Sequence, residues 1–229
     1  MNRLVVKFPT RNRPDKFKAV LDLYISRLSG KHDVQFILTM DADDPSMNTQ
    51  EVHEWLCSRA NVVKIRWFYG NSKTKIQACN ANLDGIDGDV LLLASDDMVP
   101  VLQNYDDIIF QAFSMTFPDF NGAVKFCDGM RPPHDPLMTL SVIGFPIYRK
   151  FGYIYNPEYT SLFCDQEQTD VLRALSKMAM CEVCIIQHQW TSSPFDSLHA
   201  RNENQKMYAL DGAVYERRKR AGFDLSKVF

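Results

Sequence analysis

The sequence predicts an α/β fold of the Rossmann-like kind, with a mixed but mostly parallel central sheet flanked by helices. Short apolar segments alternate with segments of helical periodicity through the first half of the chain, which is the pattern of a parallel sheet with crossover helices. The segment Val90–Ala94 is apolar at every position, as expected for a central strand buried on both faces. It ends in Ser95-Asp96-Asp97, and ligands bind at the carboxyl ends of strands in such sheets.

The first half of the chain alternates four predicted strands with four predicted helices. The strands are predicted at Leu4–Phe8, Val34–Met40, Val62–Phe68 and Val90–Ala94. The first helix begins with Pro14 at its first position and ends at Ser29-Gly30. The apolar faces of the other three are predicted at Val52, Trp55 and Leu56, then from Ile76 to Ile86 with a stop at Asp87-Gly88, then at Tyr105, Ile108, Ile109 and Ala112.

The second half is less regular. Strands are predicted at Ala123–Cys127, Leu140–Ile143 and Cys184–Gln187, and a helix is predicted after Asp165. There is no internal repeat and no low-complexity linker, so we expect a single domain over residues 1–229.

Composition excludes several classes of protein. A net charge of −2 gives no global field that would hold nucleic acid, and the dense basic run Arg217–Arg220 is typical of a solvated helix face. No segment reaches the roughly 18 apolar residues of a membrane span, and the N-terminus does not resemble a signal peptide. Six scattered cysteines indicate free thiols, and hence a cytoplasmic protein. Neither a dinucleotide-binding glycine motif nor a P-loop is present.

Asp96 and Asp97 suit a metal site, because carboxylates are hard ligands for Mg²⁺ or Mn²⁺ carrying phosphates. The alternative is that they only form the turn after the strand.

Several segments, in their order and spacing, resemble the GT-A fold nucleotide-sugar glycosyltransferases, especially family 2-like enzymes, over roughly residues 3–190. The loop Pro9–Pro14 resembles the family's nucleotide loop, and Ser95-Asp96-Asp97 resembles its DxD metal motif with Ser in the first acidic position. Phe163–Glu167 resembles the segment that carries the catalytic base, with Cys164-Asp165 where the family usually has two acids. The other matching segments are Asp41 after the second strand, Lys73–Asn80, Gly144–Tyr153 and His188.

The resemblance implies a metal-dependent inverting glycosyltransferase, a hexosyl- or pentosyltransferase, that uses Mn²⁺ or Mg²⁺ and a nucleotide diphosphate sugar, with a UDP-sugar favoured. Residues 1–100 would bind the donor, residues 101–190 would bind the acceptor and carry the base, and residues 191–229 have no assigned role. The implied acceptor is a glycan, a small molecule or a hydroxylated nucleobase in DNA.

The resemblance also assigns roles to single residues. The implied metal ligands are Asp97 and His188, the implied base is Asp165 with Glu167 as rival, and Gly144 and Arg149 lie on the acceptor side. The implied donor-binding residues are Pro9, Thr10, Arg11, Arg13, Asp41, Lys73, Lys75, Asn80, Ser95 and Asp96.

Two other functions and several structural roles stay open. The chain could be a nucleotidylyltransferase, although Pro9–Pro14 lacks the glycines of that class, or a non-catalytic sugar-nucleotide-binding module. Asp165 stands three residues before Gln168 and an apolar stripe, so it could be only a helix N-cap. His188 could be a packed core residue and Asp41 a turn residue. Lys73 and Lys75 could lie on a solvated helix face, and Arg11 and Arg13 could merely decorate a loop.

Overall fold

The fold is a seven-stranded sheet with helices on both faces, as the sequence predicts. A computed structural model describes residues 1–189 and 204–225. The strand order is β3-β2-β1-β4-β7-β6-β8, and β7 alone among these strands runs antiparallel to its neighbours. A separate two-stranded sheet pairs β5 with β9. The strands are β1 Arg3–Pro9, β2 Asp33–Asp41, β3 Lys64–Gly70, β4 Val90–Leu93, β5 Met98–Pro100, β6 Ala123–Phe126, β7 Val142–Gly144, β8 Met178–Cys181 and β9 Ile186–His188.

Seven α-helices are described. They are α1 Pro14–Ser26, α2 Gln50–Ala60, α3 Lys75–Asn80, α4 Tyr105–Thr116, α5 Phe145–Phe151, α6 Cys164–Ala174 and α7 Gln205–Arg220. None of the helices in the described ranges is long and apolar enough to cross a membrane.

The sheet separates two apolar clusters, one on each face. Because side chains alternate along a strand, successive residues of the same strand belong to different clusters. In β1, Leu4, Val6 and Phe8 face the first cluster, with α1, α2 and α4, while Val5 faces the second, with α3, α5 and α6. Lys7 alternates with them on the second side and is fully buried. In β4, Val90 and Leu92 face the first cluster and Leu91 and Leu93 face the second, so this strand is apolar on both faces, as its apolar run predicts.

Three predicted boundaries in the first half are wrong. The first helix ends at Ser26, before Ser29-Gly30. The third strand begins at Lys64, because Val62 lies exposed in the turn after α2. The third helix ends at Asn80, because the Asn80 side chain bonds to the backbone of Ile154 and Tyr155. Leu83 and Ile86 still pack on the second cluster, but from a turn that follows the helix.

The second half contains elements that the sequence analysis missed. The three-residue strand β5 and the strand β8 were not predicted, and the strand before α5 begins at Val142. The segment Gly144–Tyr153 does fold as the end of a strand followed by a helix, as its resemblance implies. Most of α7 presents polar residues, but Arg218 is 4% exposed, so the basic run is not simply a solvated face. Residues 190–203 and 226–229 of the predicted C-terminal tail lie outside the described residues.

Candidate active site

A cavity of about 610 Å³ opens at the carboxyl ends of β1, β2 and β4, within the size range of small-molecule sites. Its walls come from both halves of the chain, including the loop between β6 and β7, the N-terminal end of α6 and the start of α7. Twelve of the residues predicted from the sequence line it. They are Pro9, Thr10, Arg11, Arg13, Asp41, Lys73, Lys75, Ser95, Asp96, Asp97, Asp165 and His188.

Asp97 and His188 are neighbours in the lining of the cavity. Their side chains are brought together because β5, directly after Asp97, pairs antiparallel with β9, which ends in His188. Asp97 Oδ2 lies 3.7 Å from His188 Nε2, and the Ser95 hydroxyl donates a hydrogen bond to Asp97 Oδ1. Burial acts to raise the pKa of Asp97, but His188 and Ser95 outweigh it and hold that pKa below the ordinary value. Asp97 is therefore ionised at neutral pH.

These two side chains fit a divalent metal ion. Two ligand atoms 3.7 Å apart can both coordinate one ion, because their separation is less than twice the metal–ligand distance of roughly 2.0–2.2 Å. No group of three or more His, Cys, Asp or Glu side chains among the described residues could hold a metal on its own. Mg²⁺ typically takes one or two protein ligands and completes its sphere with water and substrate phosphates. The chemistry of the pair matches that mode of binding.

Asp96 points to a different wall from Asp97. Arg13 Nη1 donates to Asp96 Oδ1 at 2.7 Å, and the Thr10 hydroxyl donates to Oδ2 at 3.2 Å. Burial raises the pKa of Asp96, although Arg13 opposes the shift. Asp96 thus connects the loop after β1 to the end of β4. Arg13 is therefore a structural contact between these two segments and not only a loop residue.

Asp41 ends β2, and one of its carboxylate oxygens is buried. Arg11 Nη1 donates to Asp41 Oδ2 at 2.7 Å, and it also contacts Asp43 Oδ1 at 2.6 Å. Asp41 Oδ1 is buried and has no hydrogen-bond partner among the described residues. A buried carboxylate oxygen without a donor is unfavourable, so a ligand N–H at this position would stabilise it.

Asp165 lies in the first turn of α6 and also lines the cavity. The N-cap of α6 is Phe163, so the interpretation of Asp165 as N-cap is wrong. Burial raises the pKa of Asp165, and the positive charges of Lys75 and Arg131 oppose that shift. Lys75 also lowers the pKa of Asp97, so its ammonium group acts on both carboxylates.

Four predicted residues lie outside the cavity. Asn80 holds the backbone of Ile154 and Tyr155, and Arg149 pairs with Asp87 at the exposed surface. Gly144 packs against the Phe120 carbonyl, where a Cβ atom would clash at 1.6 Å. Glu167 is buried against Arg218 and the Tyr159 hydroxyl. The geometry gives each of them a structural contact away from the cavity.

The sequence analysis did not predict two further residues that line the cavity, Asp128 and Tyr208. Asp128 lines it and accepts bonds from the backbone N–H groups of Met130 and Arg131 and from Thr139. Tyr208, half exposed at the start of α7, also lines it. The acidic turn Asp128-Gly129 after a strand was a signal for the first, whereas nothing in the local sequence pointed to the second.

No protein-family model matches the sequence, and a search of curated proteins finds no match either. Solved structures do resemble the fold. The mannosyltransferase PcManGT from Pyrobaculum calidifontis, in complex with GDP-Man and Mn²⁺, superimposes with a TM-score of 0.66 at 15% identity. That alignment covers 87% of this chain and 59% of PcManGT, so the chain spans less than two thirds of that protein.

Two further structures resemble this chain to a similar degree. TarS from S. aureus in complex with UDP-GlcNAc has a TM-score of 0.62 at 12% identity, covering 83% of this chain and 59% of its own. Glucosyl-3-phosphoglycerate synthase from Mycobacterium tuberculosis, in complex with phosphoglyceric acid, has a TM-score of 0.57 at 13% identity, covering 88% and 76%. At these identities the likeness shows the architecture, and the chain has the fold of the GT-A glycosyltransferases.

Proposed function

We propose that this protein is a metal-dependent inverting glycosyltransferase that moves a sugar from a nucleotide diphosphate sugar, with UDP-sugars favoured, to an acceptor hydroxyl. The observation that carries the proposal is that one cavity joins the Asp97–His188 pair with the carboxylate of Asp165. The first is suited to a diphosphate with its metal ion, and the second to taking a proton. The fold is also that of nucleotide-sugar glycosyltransferases.

The donor would lie across the carboxyl ends of β1, β2 and β4. Asp41 Oδ1, which is buried and has no hydrogen-bond donor in the described part of the chain, would accept the N–H of a uracil-like base edge. Arg11 holds the other carboxylate oxygen, so the acceptor atom is fixed before the base arrives. This arrangement supports a nucleotide donor, and a single vacant acceptor oxygen matches the single N–H of uracil.

The diphosphate would lie near Asp97 and His188, which would hold the metal ion. When bound, a divalent ion supplies Lewis-acid stabilisation of the negative charge that develops on the leaving diphosphate. Lys73 and Lys75 line the same cavity and would supply fixed positive charge. Such charge stabilises a leaving group most where water is excluded.

The acceptor hydroxyl would lose its proton to Asp165 as it attacks. Because burial raises the pKa of Asp165, its carboxylate accepts a proton more readily than a solvent-exposed aspartate would. A general base acting without a covalent nucleophile implies direct displacement, and direct displacement inverts the anomeric carbon. The acceptor would enter past Met130, Arg131 and Tyr208, all of which are exposed at the edge of the cavity.

A two-stage experiment tests the proposal. A thermal-shift screen of UDP- and GDP-sugars, each with and without Mn²⁺, identifies the donor, since a ligand that binds the native state raises its apparent stability. The stabilising donor is then incubated with candidate acceptors, and the products are analysed for free nucleoside diphosphate and for anomeric configuration. Release of nucleoside diphosphate with an inverted product supports the proposal. Release of sugar 1-phosphate, with the nucleoside monophosphate transferred to the acceptor, would indicate a nucleotidylyltransferase, and binding without turnover would indicate a non-catalytic module.

A further inference from the structure

The side chain of Asp211, on α7, gathers three backbone N–H groups of a distant segment. Its oxygens accept bonds from Thr160 at 2.9 Å, Ser161 at 2.8 Å and Leu162 at 2.7 Å. Asp211 is only 1% exposed, and 49 to 51 residues separate it from its partners along the chain. Because three donors converge on one carboxylate, the path of the segment 160–162 is fixed by α7.

This segment leads directly into the turn of helix that carries Asp165. Phe163 adopts a left-handed conformation, with φ of 59°, and α6 begins at Cys164. The Cys164 thiol bonds back to the Ser161 carbonyl oxygen. Asp165 follows Leu162 by three residues, so a displacement of the segment 160–162 would be transmitted to its carboxylate.

Helix α7 also holds α6 on the far side of Asp165. Arg218 Nε and Nη2 donate to the two oxygens of Glu167 at 2.8 and 2.9 Å, and both side chains are nearly inaccessible to solvent. Between these two anchors, the Phe163 ring stacks on Tyr215 with centroids 5.8 Å apart. The first turn of α6 is therefore fixed before and after Asp165 by the same helix.

We infer that Asp211 is a positioning residue for the reaction, because it holds the segment that presents Asp165 to the acceptor hydroxyl. This inference rests on the proposed function, in which Asp165 is the general base. Asp211 acts through Asp165, since its own oxygens are occupied by backbone N–H groups. Catalysis requires a base within hydrogen-bond reach of the proton, and small misplacements of such groups lower turnover strongly.

Asp106 provides a matched control, because it is equally buried but lies outside the cavity lining. It lies in the first turn of α4, is fully buried, and accepts bonds from the Ser29 backbone N–H at 2.8 Å and the Ser29 hydroxyl at 2.6 Å. Asp106→Asn and Asp211→Asn thus make the same change to a carboxylate that fixes a loop. Only the second loop leads to Asp165.

The experiment compares Asp211→Asn with Asp106→Asn at temperatures where both are folded. We expect Asp211→Asn to lower kcat by about 10–100-fold while the Kd for the donor nucleotide stays unchanged. Amide deuterium exchange should accelerate over residues 160–166 in the same variant. Asp106→Asn should lower the melting temperature to a similar extent and leave kcat unchanged.

Several outcomes would overturn the inference. They are an unchanged kcat in Asp211→Asn, an equal loss of kcat in Asp106→Asn, or a parallel loss of donor affinity in Asp211→Asn. If Asp211→Asn does not fold, Asp211→Glu keeps the charge and shifts the segment, and the same losses are expected. Failure of the proposed function is a separate result, because the unaltered protein would then show no transfer with any donor and acceptor.

Discussion

The two halves of the chain build their parts of the cavity by different physical means. In residues 1–100, Thr10, Asp41 and Asp97 stand at the carboxyl ends of three adjacent parallel strands, β1, β2 and β4, so strand register brings them to the same edge of the sheet. In the second half, Asp165 stands on a helix whose position depends on contacts with α7, 49 or more residues later in the chain. The first arrangement follows from local sequence, whereas the second depends on long-range tertiary contacts.

The two halves also differ in how their buried cations are paired. Arg218 in the second half is paired with Glu167 and Glu158, and its guanidinium pKa is raised despite burial. Lys7 in the first half is fully buried, and its described hydrogen-bond partner is the uncharged hydroxyl of Thr39. The second half therefore compensates its buried charge with two carboxylates, while the first half leaves its buried cation partly uncompensated.

The largest expected effect comes from the metal pair, to which the first half contributes Asp97 and the second half His188. Asp97→Ala should abolish transfer and remove the dependence of nucleotide binding on Mn²⁺, because His188 alone would be left to hold the ion. Isothermal titration of the donor nucleotide with and without Mn²⁺ measures this directly. Asp87→Ala is the control, since Asp87 pairs with Arg149 outside the cavity and should leave both properties unchanged. Unaltered metal dependence in Asp97→Ala would refute the assignment.

The next largest effect tests the second half. Asp165→Asn keeps the shape of the side chain but cannot take a proton, so kcat should fall by about 10²–10⁴-fold while donor binding persists. Because burial raises the pKa of Asp165 and only its ionised form is a base, kcat of the unaltered protein should fall with decreasing pH at values above about 3.9, the ordinary aspartate pKa. The pH–rate profile and single-turnover rates measure both.

Glu167→Gln separates the two candidate bases. Glu167 is bonded to Arg218 and the Tyr159 hydroxyl, so we expect this variant to lower the melting temperature more than it lowers kcat. A variant that melts like the unaltered protein but has lost turnover would make Glu167 the base, provided that Asp165→Asn remains active.

A smaller effect is expected at the nucleotide base. Asp41→Ala should raise the donor KM by about 10–100-fold with little change in kcat, since a hydrogen bond to a charged group contributes about 1.5–3 kcal/mol and acts equally in ground and transition states. Asp43→Ala is the matched control, because it removes another carboxylate from Arg11 but leaves Asp41 Oδ1 in place. Steady-state kinetics measure both variants, and a loss confined to kcat would contradict the role in base binding.

The contrast between the halves explains what the sequence could predict. The sequence could predict the order of strands and helices, because apolar runs are local features. It could likewise predict the cavity edge with Asp41, Asp96 and Asp97, because these residues come at the ends of such runs. The positions of β6, β7 and β8 within the sheet could not be predicted from the sequence, since β6 and β8 pair although more than 50 residues separate them in the chain. Arg218 looked like a surface residue because its partner Glu167 is distant in sequence. The shortened α3 depends likewise on the contact of Asn80 with the backbone of Ile154.

The stability of the fold, rather than its activity, should respond to the partly uncompensated cation of the first half, Lys7. Burial lowers the pKa of Lys7 to about 7, although the nearby Cys79 opposes the shift. An unfolded lysine has a pKa of about 10.4, so between these two values the unfolded chain holds a proton that the folded chain has released. The free energy of unfolding should therefore rise with pH from about 7 to about 10, by at most about 1.4 kcal/mol per pH unit. Below pH 7 both states are protonated, and the full cost of burying the charge is present.

Lys7→Met removes the titrating group and keeps most of the side-chain volume. The variant should be more stable than the unaltered protein at pH 7, and its advantage should shrink as the pH approaches 10, because the unaltered protein gains stability over that range. Urea unfolding at pH 7, 8 and 9 measures the difference. Lys31→Met is the control, since Lys31 is exposed and its replacement should change stability equally at each pH. If the Lys7→Met and unaltered curves run parallel from pH 7 to 9, Lys7 keeps an ordinary pKa, and the contrast drawn with Arg218 does not hold.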